Sequence, residues 1–265
     1  MVKNLLVLKS LLLNLALLIA LVTASSSLLA QNTRTITHHQ IGWYNYFGNF
    51  KLNSKWGIHS EYQWRRVDWV NNWQQSLLRV GVHYQAKPGV LFRAGYAWIE
   101  TFAYGDIPLN SLGRDFTEHR IFEMVQLSHK ESRLEFSHRF MLEQRFVGRY
   151  TSREVSKENE FPFLNRMRYM FRVQAPIGKT EITDKTFYAA IYNEVFIGFG
   201  KNVGANIFDQ NRLGGLIGYR FSKNLRAEAG YLSQILQYAR NIEGKDVYQI
   251  NNGIIINVYF TIEKK

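Results

Sequence analysis

The chain of 265 residues contains no cysteine. That excludes disulfide frameworks, thiolate metal sites, cysteine nucleophiles and anchoring through a lipidated cysteine. Beyond its first 22 residues it also lacks any stretch approaching the roughly 18 to 20 consecutive apolar residues of a membrane-spanning helix, so no helical membrane protein is encoded. Missing as well is a His-x-Ser spacing, which would set an imidazole beside a hydroxyl on one strand face and let it act as a base. His59-Ser60 and Ser137-His138 are adjacent pairs whose side chains diverge, so a hydrolytic dyad needs partners from different strands. His38 and His39 have no third ligand beside them and read as an ordinary exposed pair. Asp68 and Asp106 fall in loops without the spaced carboxylates of a calcium site. No metal and no cofactor are expected.

What is present begins with an export signal. Lys3 and Lys9 form a positive start, Leu11 to Val22 an apolar stretch interrupted by Asn14 and alanines, and Thr23 to Ala30 a small, polar cleavage region. Residues 1–30 are read as a signal peptide cut after Ala30, with Ala24 as the alternative, leaving 31–265 as one domain. No linker interrupts it, and ~200 to 250 residues is a common size for a single all-β domain. Lysine and arginine outnumber the acids by 33 to 21, a formal charge of +12 that becomes +10 once the signal is removed. For an exported chain this points to lipopolysaccharide, phospholipid headgroups or small anionic solutes, and away from nucleic acid.

The mature chain is dominated by a period of two. In residues 133–147, Leu134, Phe136, Phe140, Leu142 and Phe146 share one strand face with His138 and Gln144, while Arg133, Glu135, Ser137, Arg139, Glu143 and Arg145 share the other. The pattern recurs. Trp56, Ile58, Tyr62 and Trp64 oppose Glu61 and Arg65; Leu78, Val80 and Val82 oppose Arg79; Phe92, Tyr96 and Trp98 oppose Arg93. Met167, Tyr169 and Phe171 oppose Arg166, Arg168 and Arg172, and Leu213, Ile217 and Tyr219 oppose Arg212. Eleven such runs are visible, joined by short segments near 87–89, 129–132 and 222–224 and longer ones at 103–116, 148–163, 198–209 and 238–246. Short turns alternating with long loops is the outer-membrane barrel pattern. Because single-chain bacterial barrels have even strand numbers, the expected fold is an all-β antiparallel transmembrane barrel of 10–12 strands. Twelve is favoured, with a further short strand around 33–41.

A soluble sandwich or lipocalin-like barrel shares the period but buries the apolar face. Three features favour the membrane form. Several runs reach 12 to 15 residues, against ~5 to 6 for ordinary strands. Aromatic residues such as Tyr84, Phe92, Trp98 and Phe146 sit near the ends of the apolar faces, where a bilayer interface would place them. Gly57, Gly81, Gly95, Gly214, Gly218, Gly230 and Gly253 all fall on the polar face, where a lumen crowded by arginines has a use for them; Gly215 is the exception. Ile58, Val80, Phe136, Tyr169, Ile217 and Val258 are therefore expected to face lipid in the outer membrane of a Gram-negative bacterium.

The segments Trp56 through Arg65, Glu143-Gln144-Arg145-Phe146, Arg166-Met167-Arg168-Tyr169, Tyr192-Asn193-Glu194, Gln210-Asn211-Arg212 and Gly230-Tyr231 give the chain a resemblance to a bacterial family, domain of unknown function 2490, common in exported proteins of the Bacteroidetes. The resemblance implies an outer-membrane β-barrel and brings no activity with it.

The chemistry concentrates on the inner face. Arg65, Arg79, Arg93, Arg120, Arg139, Arg145, Arg166, Arg168 and Arg212 point inward with Glu61, Glu118, Glu135, Glu143 and Glu228. The array can be an anion-selective constriction or basic ligand site, since guanidinium forks bind phosphate and carboxylate bidentately. It can equally be a ladder of ion pairs that closes the lumen and fixes register. Glu143, Arg145, Arg166 and Arg168 are expected to form one cluster near a shared loop, completed by an acid such as Glu118 or by a bound anion. Asn193 and Glu194 need a bulge or a rim position, since one of two neighbours on a regular strand must face outward. The expected function is a narrow pore or an anionic-ligand-binding barrel. A structural or assembly barrel with a plugged lumen is the alternative, and a lipid esterase or deacylase the lesser one.

Overall fold

The computed structural model describes residues 34–203 and 206–263. The expected signal peptide and its expected cleavage site lie outside the described residues. Those described contain no helix and form eleven strands: β1 Arg34–Lys51, β2 Trp56–Val67, β3 Asn72–Lys87, β4 Val90–Thr101, β5 Phe116–Glu131, β6 Leu134–Val147, β7 Phe163–Pro176, β8 Thr186–Phe199, β9 Phe208–Ser222, β10 Leu225–Ile242 and β11 Lys245–Glu263. Each pairs antiparallel with the next, and the sheet closes on itself through β1 and β11.

Eleven strands replace the expected twelve. Residues 34–41 are not a separate strand but the first half of β1, because the alternation runs on without a turn from Thr35, Thr37 and His39 into Ile41 and Trp43. Hairpins reverse direction each time, so with an odd count the first and last strands run the same way and must pair parallel, Arg34 opposite Asp246 and Lys51 opposite Glu263. The expected loop at 238–246 is likewise mostly strand. It reduces to a two-residue turn, Glu243-Gly244, with φ of 51° and 74°, the left-handed pair that matches the twist of a tight hairpin.

One end of the barrel carries the connections 52–55, 88–89, 132–133, 177–185 and 223–224; the other carries 68–71, 102–115, 148–162, 200–207 and 243–244. At the long-loop end β10, β11 and β1 outrun their neighbours. Pairing of β9 with β10 stops at Gln210 and Leu236, whereas β10 and β11 continue to Ile242 and Lys245, so three strands project as a flap.

The faces are sorted in the sense opposite to a soluble barrel. Ile58, Val80 and Ile217 are exposed on the outer wall, and Phe136, Tyr169 and Val258 share that wall, partly covered by neighbouring aromatics and aliphatics. Among the described residues, buried polar and charged side chains outnumber buried apolar ones by 24 to 17, most of them facing inward. The apolar interior is confined to small patches such as Leu77, Ala97 and Ile99, and Phe122, Met124 and Met141. The lumen glycines make room, but mainly for aromatic rings and backbone instead of arginines. A Cβ on Gly214 would stand 2.2 Å from the Tyr192 ring, and one on Gly230 would stand 2.0 Å from the Gly215 carbonyl oxygen.

Candidate functional site

At mid-barrel the inward charges form a continuous girdle. Glu143 on β6 lies directly opposite Arg166 on β7. Its carboxylate accepts from Arg166 at 2.5 and 2.8 Å and from Arg168 at 2.8 Å, with Arg120 at 3.6 Å and Arg79 at 3.8 Å. Glu61 takes Arg79 at 2.8 Å. Glu194 takes Arg168 at 2.8 and 3.1 Å and Arg139 at 2.8 Å, and Arg212 stands 3.9 Å away. Glu118 holds Arg120 at 2.5 and 2.9 Å and Arg145 at 2.5 and 3.0 Å, each as a fork on both oxygens. Acids and arginines thus alternate without a break from β2 across to β8, nearly all buried. A buried charge needs this saturation, because removing one partner of such a pair costs about 3–5 kcal/mol.

The cluster expected around Glu143 differs in one member. Arg145 turns to Glu118 instead, because the two strands pair Arg120 directly with Arg145 and so bring both guanidinium groups to the same acid. Arg166 gains Asp209 at 2.5 Å, an acid displaced inward by a bulge between β8 and β9. The remaining candidates lie apart. Arg93 makes a single 3.4 Å contact, to Asn49. Glu135 accepts from Gln174 at 2.7 Å. Arg65 is held by Gln63 and Gln75 and lies over Trp43, its guanidinium carbon 3.9 Å from the ring centre, and Arg212 packs on the same indole at 4.8 Å. Asn193 and Glu194 need neither bulge nor rim. Their register is regular, Glu194 faces in, and Asn193 faces out, exchanging amide bonds of 3.0 and 3.1 Å with Asn211.

Below the girdle, toward the short-turn end, lies a cavity of about 570 Å³. It runs from Gly89, Ser128 and Lys130 at the rim to Glu61, Arg79 and Glu194 at its floor, and seven lysines and arginines against three glutamates line it. Above the girdle, the loop 102–115 closes the lumen. The Tyr104 hydroxyl donates to Gln249 at 3.0 Å and accepts from Gln74 at 3.0 Å and Asn251 at 3.3 Å; burial holds this phenol above its ordinary pKa. The flap grips the same loop, Tyr238 donating to the Ile107 carbonyl and Arg240 to the Pro108 carbonyl, both at 2.7 Å. His39 meets Tyr104 edge-on at 5.2 Å, while His38 points to the opposite face and is exposed. His59 and His138 bond Asn49 and Tyr169, at 3.0 and 2.9 Å, and no serine. Among the described residues no group of three potential metal ligands converges.

Sequence reasoning missed the parts that come from afar. Trp43, Tyr104, Asp209 and the pairing of Arg172 with Glu228 each depend on strand partners or on a loop fold that period-two alternation does not encode.

The fold and its interior define the class: a closed all-β barrel with an apolar exterior and an ion-paired interior. The chain belongs to the family described as Protein of unknown function (DUF2490), which matches residues 40–244. No curated protein matches it. Among solved structures it is similar to the NanC porin in its rhombohedral crystal form, with 13% sequence identity and a TM-score of 0.43, over 78% of this chain and 92% of that one.

Proposed function

We propose that this protein is an outer-membrane barrel of a Gram-negative bacterium that takes small anionic solutes into a blind basic vestibule open at the short-turn end. The observation that carries the reading is the row of lysines and arginines lining the cavity beneath the internally paired girdle, among which Arg226, at the start of β10, has no acidic partner among the described residues. The vestibule attracts anions through that unpaired cation, since Arg172 is held by Glu228, Lys130 by Glu181, and Arg79, Arg139 and Arg168 by the girdle acids, and the girdle with its Tyr104 cap restricts passage. The apolar outer wall fits lipopolysaccharide and phospholipid as surroundings. Fractionation with heat-modifiable gel mobility tests the location, and a soluble periplasmic monomer would overturn it. Planar bilayers test the rest. The expected record is insertion with small, infrequent, anion-biased openings whose bias reverses in Arg79→Glu or Arg168→Glu; a steady, cation-selective channel would sink the proposal.

The buried girdle also supports a second reading, a structural or assembly barrel with a permanently plugged lumen. That role is favoured if the inserted protein never conducts and inorganic phosphate does not bind it.

A further inference from the structure

One vestibule arginine is left over by the ion-pair network. Among the described residues, Arg226 near the start of β10 makes no hydrogen bond and no ion pair. Its nearest inward acid along the strand, Glu228, is saturated. It accepts from Arg172 at 2.5 and 3.2 Å, Tyr188 at 2.7 Å, Tyr259 at 3.1 Å and Asn257 at 3.3 Å. These are five donors for the roughly four lone-pair sites of a carboxylate. Arg226 is nevertheless held in place, its guanidinium carbon 4.1 Å from the centre of the Tyr259 ring.

That ring is stacked in turn on Phe47, with centroids 4.8 Å apart and planes 14° from parallel. The three residues lie side by side across β10, β11 and β1, since Arg226 is opposite Tyr259 and Tyr259 is opposite Phe47. All three line the cavity. Because guanidinium and rings cover one another's faces, their edges are what remains for the cavity. A guanidinium edge is a row of N–H donors, and an aromatic edge is the positive part of the ring quadrupole, which prefers the face of another ring. The opposite wall carries Gln126, Ser128 and Ser137 together with the charged Lys130, Glu135 and Arg139, and the cavity of about 570 Å³ leaves room between the two.

Resting on the vestibule reading above, we propose that the ligand class is the aromatic carboxylate or aryl phosphate, its anionic group forked on Arg226 and its ring lying flat against the edges of Tyr259 and Phe47. A bare anion uses only the first contact, and a neutral ring only the second.

The refolded full chain in detergent can be titrated calorimetrically with inorganic phosphate, phenyl phosphate, acetate, benzoate and benzyl alcohol, the last serving as the uncharged ring. Phenyl phosphate and benzoate should bind at least about tenfold tighter than phosphate and acetate, and benzyl alcohol should show no saturable binding. Arg226→Gln should weaken phenyl phosphate about tenfold or more, and Phe47→Ala should erase the advantage of phenyl phosphate while leaving phosphate unchanged. Retained heat-modifiable mobility shows that each variant is folded, and Arg226→Lys supplies a second variant that keeps the charge but loses the fork. Equal affinity for phosphate and phenyl phosphate, unaffected by Arg226→Gln, would overturn the aromatic shelf while the basic vestibule stands. Binding of none of the four anions would overturn both.

Discussion

Glu143 is wholly buried, and four arginines stand within 4 Å of its carboxylate. Replacing it by glutamine leaves those cations facing one another in a poorly solvated space, whereas Arg168→Gln leaves Glu143 with Arg166 and Glu194 with Arg139. Thermal or urea unfolding of the refolded variants should therefore show Glu143→Gln losing about 3–5 kcal/mol and Arg168→Gln clearly less. Equal stability of both variants and the parent would mean that these side chains are solvated and independent. At this scale the sequence reveals which face a residue occupies, since alternation is local. It does not reveal the partner: Arg145 lies two residues from Glu143 on the same face yet bonds Glu118, because the strand opposite decides.

Strands and their glycines show what one added methyl group does to an element. Gly214 and Gly215 are neighbours on β9 with opposite surroundings, the first under the Tyr192 ring and the second with nothing within 4 Å of an added Cβ. Gly214→Ala should lower stability by about 1–3 kcal/mol through overpacking, and Gly230→Ala at least as much, because it meets backbone. Gly215→Ala should be nearly neutral in the same urea titration; a loss there as large as at Gly214 would count against the face assignment. The outer wall offers a complementary test. Glu123, halfway along β5, faces outward with a single hydrogen bond, from Gln144 at 3.1 Å. A carboxylate among lipid tails is unfavourable, so Glu123→Leu should stabilise the barrel refolded into vesicles by on the order of 1 kcal/mol. Destabilisation would show that this wall does not face lipid.

For the whole molecule, the architecture and all eleven runs were legible, and it was the even-number rule for single-chain barrels that raised the expected count to twelve. Turn chemistry such as Lys87-Pro88-Gly89 marks a boundary, and residues 34–51 carry none, their alternation running on from Thr35 to Trp43 as one strand. The loop expected at 238–246 drew on polar residues that in fact border a two-residue turn. The count can be tested directly, since the chain has no native cysteine to interfere. Asn45 and Asn257 face each other across the β1–β11 seam, bonded at 2.9 Å. Asn45→Cys combined with Asn257→Cys should oxidise readily to an intramolecular disulfide in the folded barrel. An intervening twelfth strand would separate the two by about 10 Å, beyond the reach of a disulfide, and the pair would stay reduced.

The parallel seam has a consequence for rewiring the chain. In a barrel with an even number of strands the two ends of the sheet meet at the same rim, so a short loop can join them and new ends can be opened elsewhere. Here Glu263 and Arg34 lie at opposite rims, about 55 Å apart along the seam. A joining peptide would have to thread a lumen already filled by arginine and glutamate, or cross the greasy exterior with its own amides unpaired. Circular permutation at this junction is thereby forbidden by topology, and the barrel can close only by β1 and β11 meeting along two free edges.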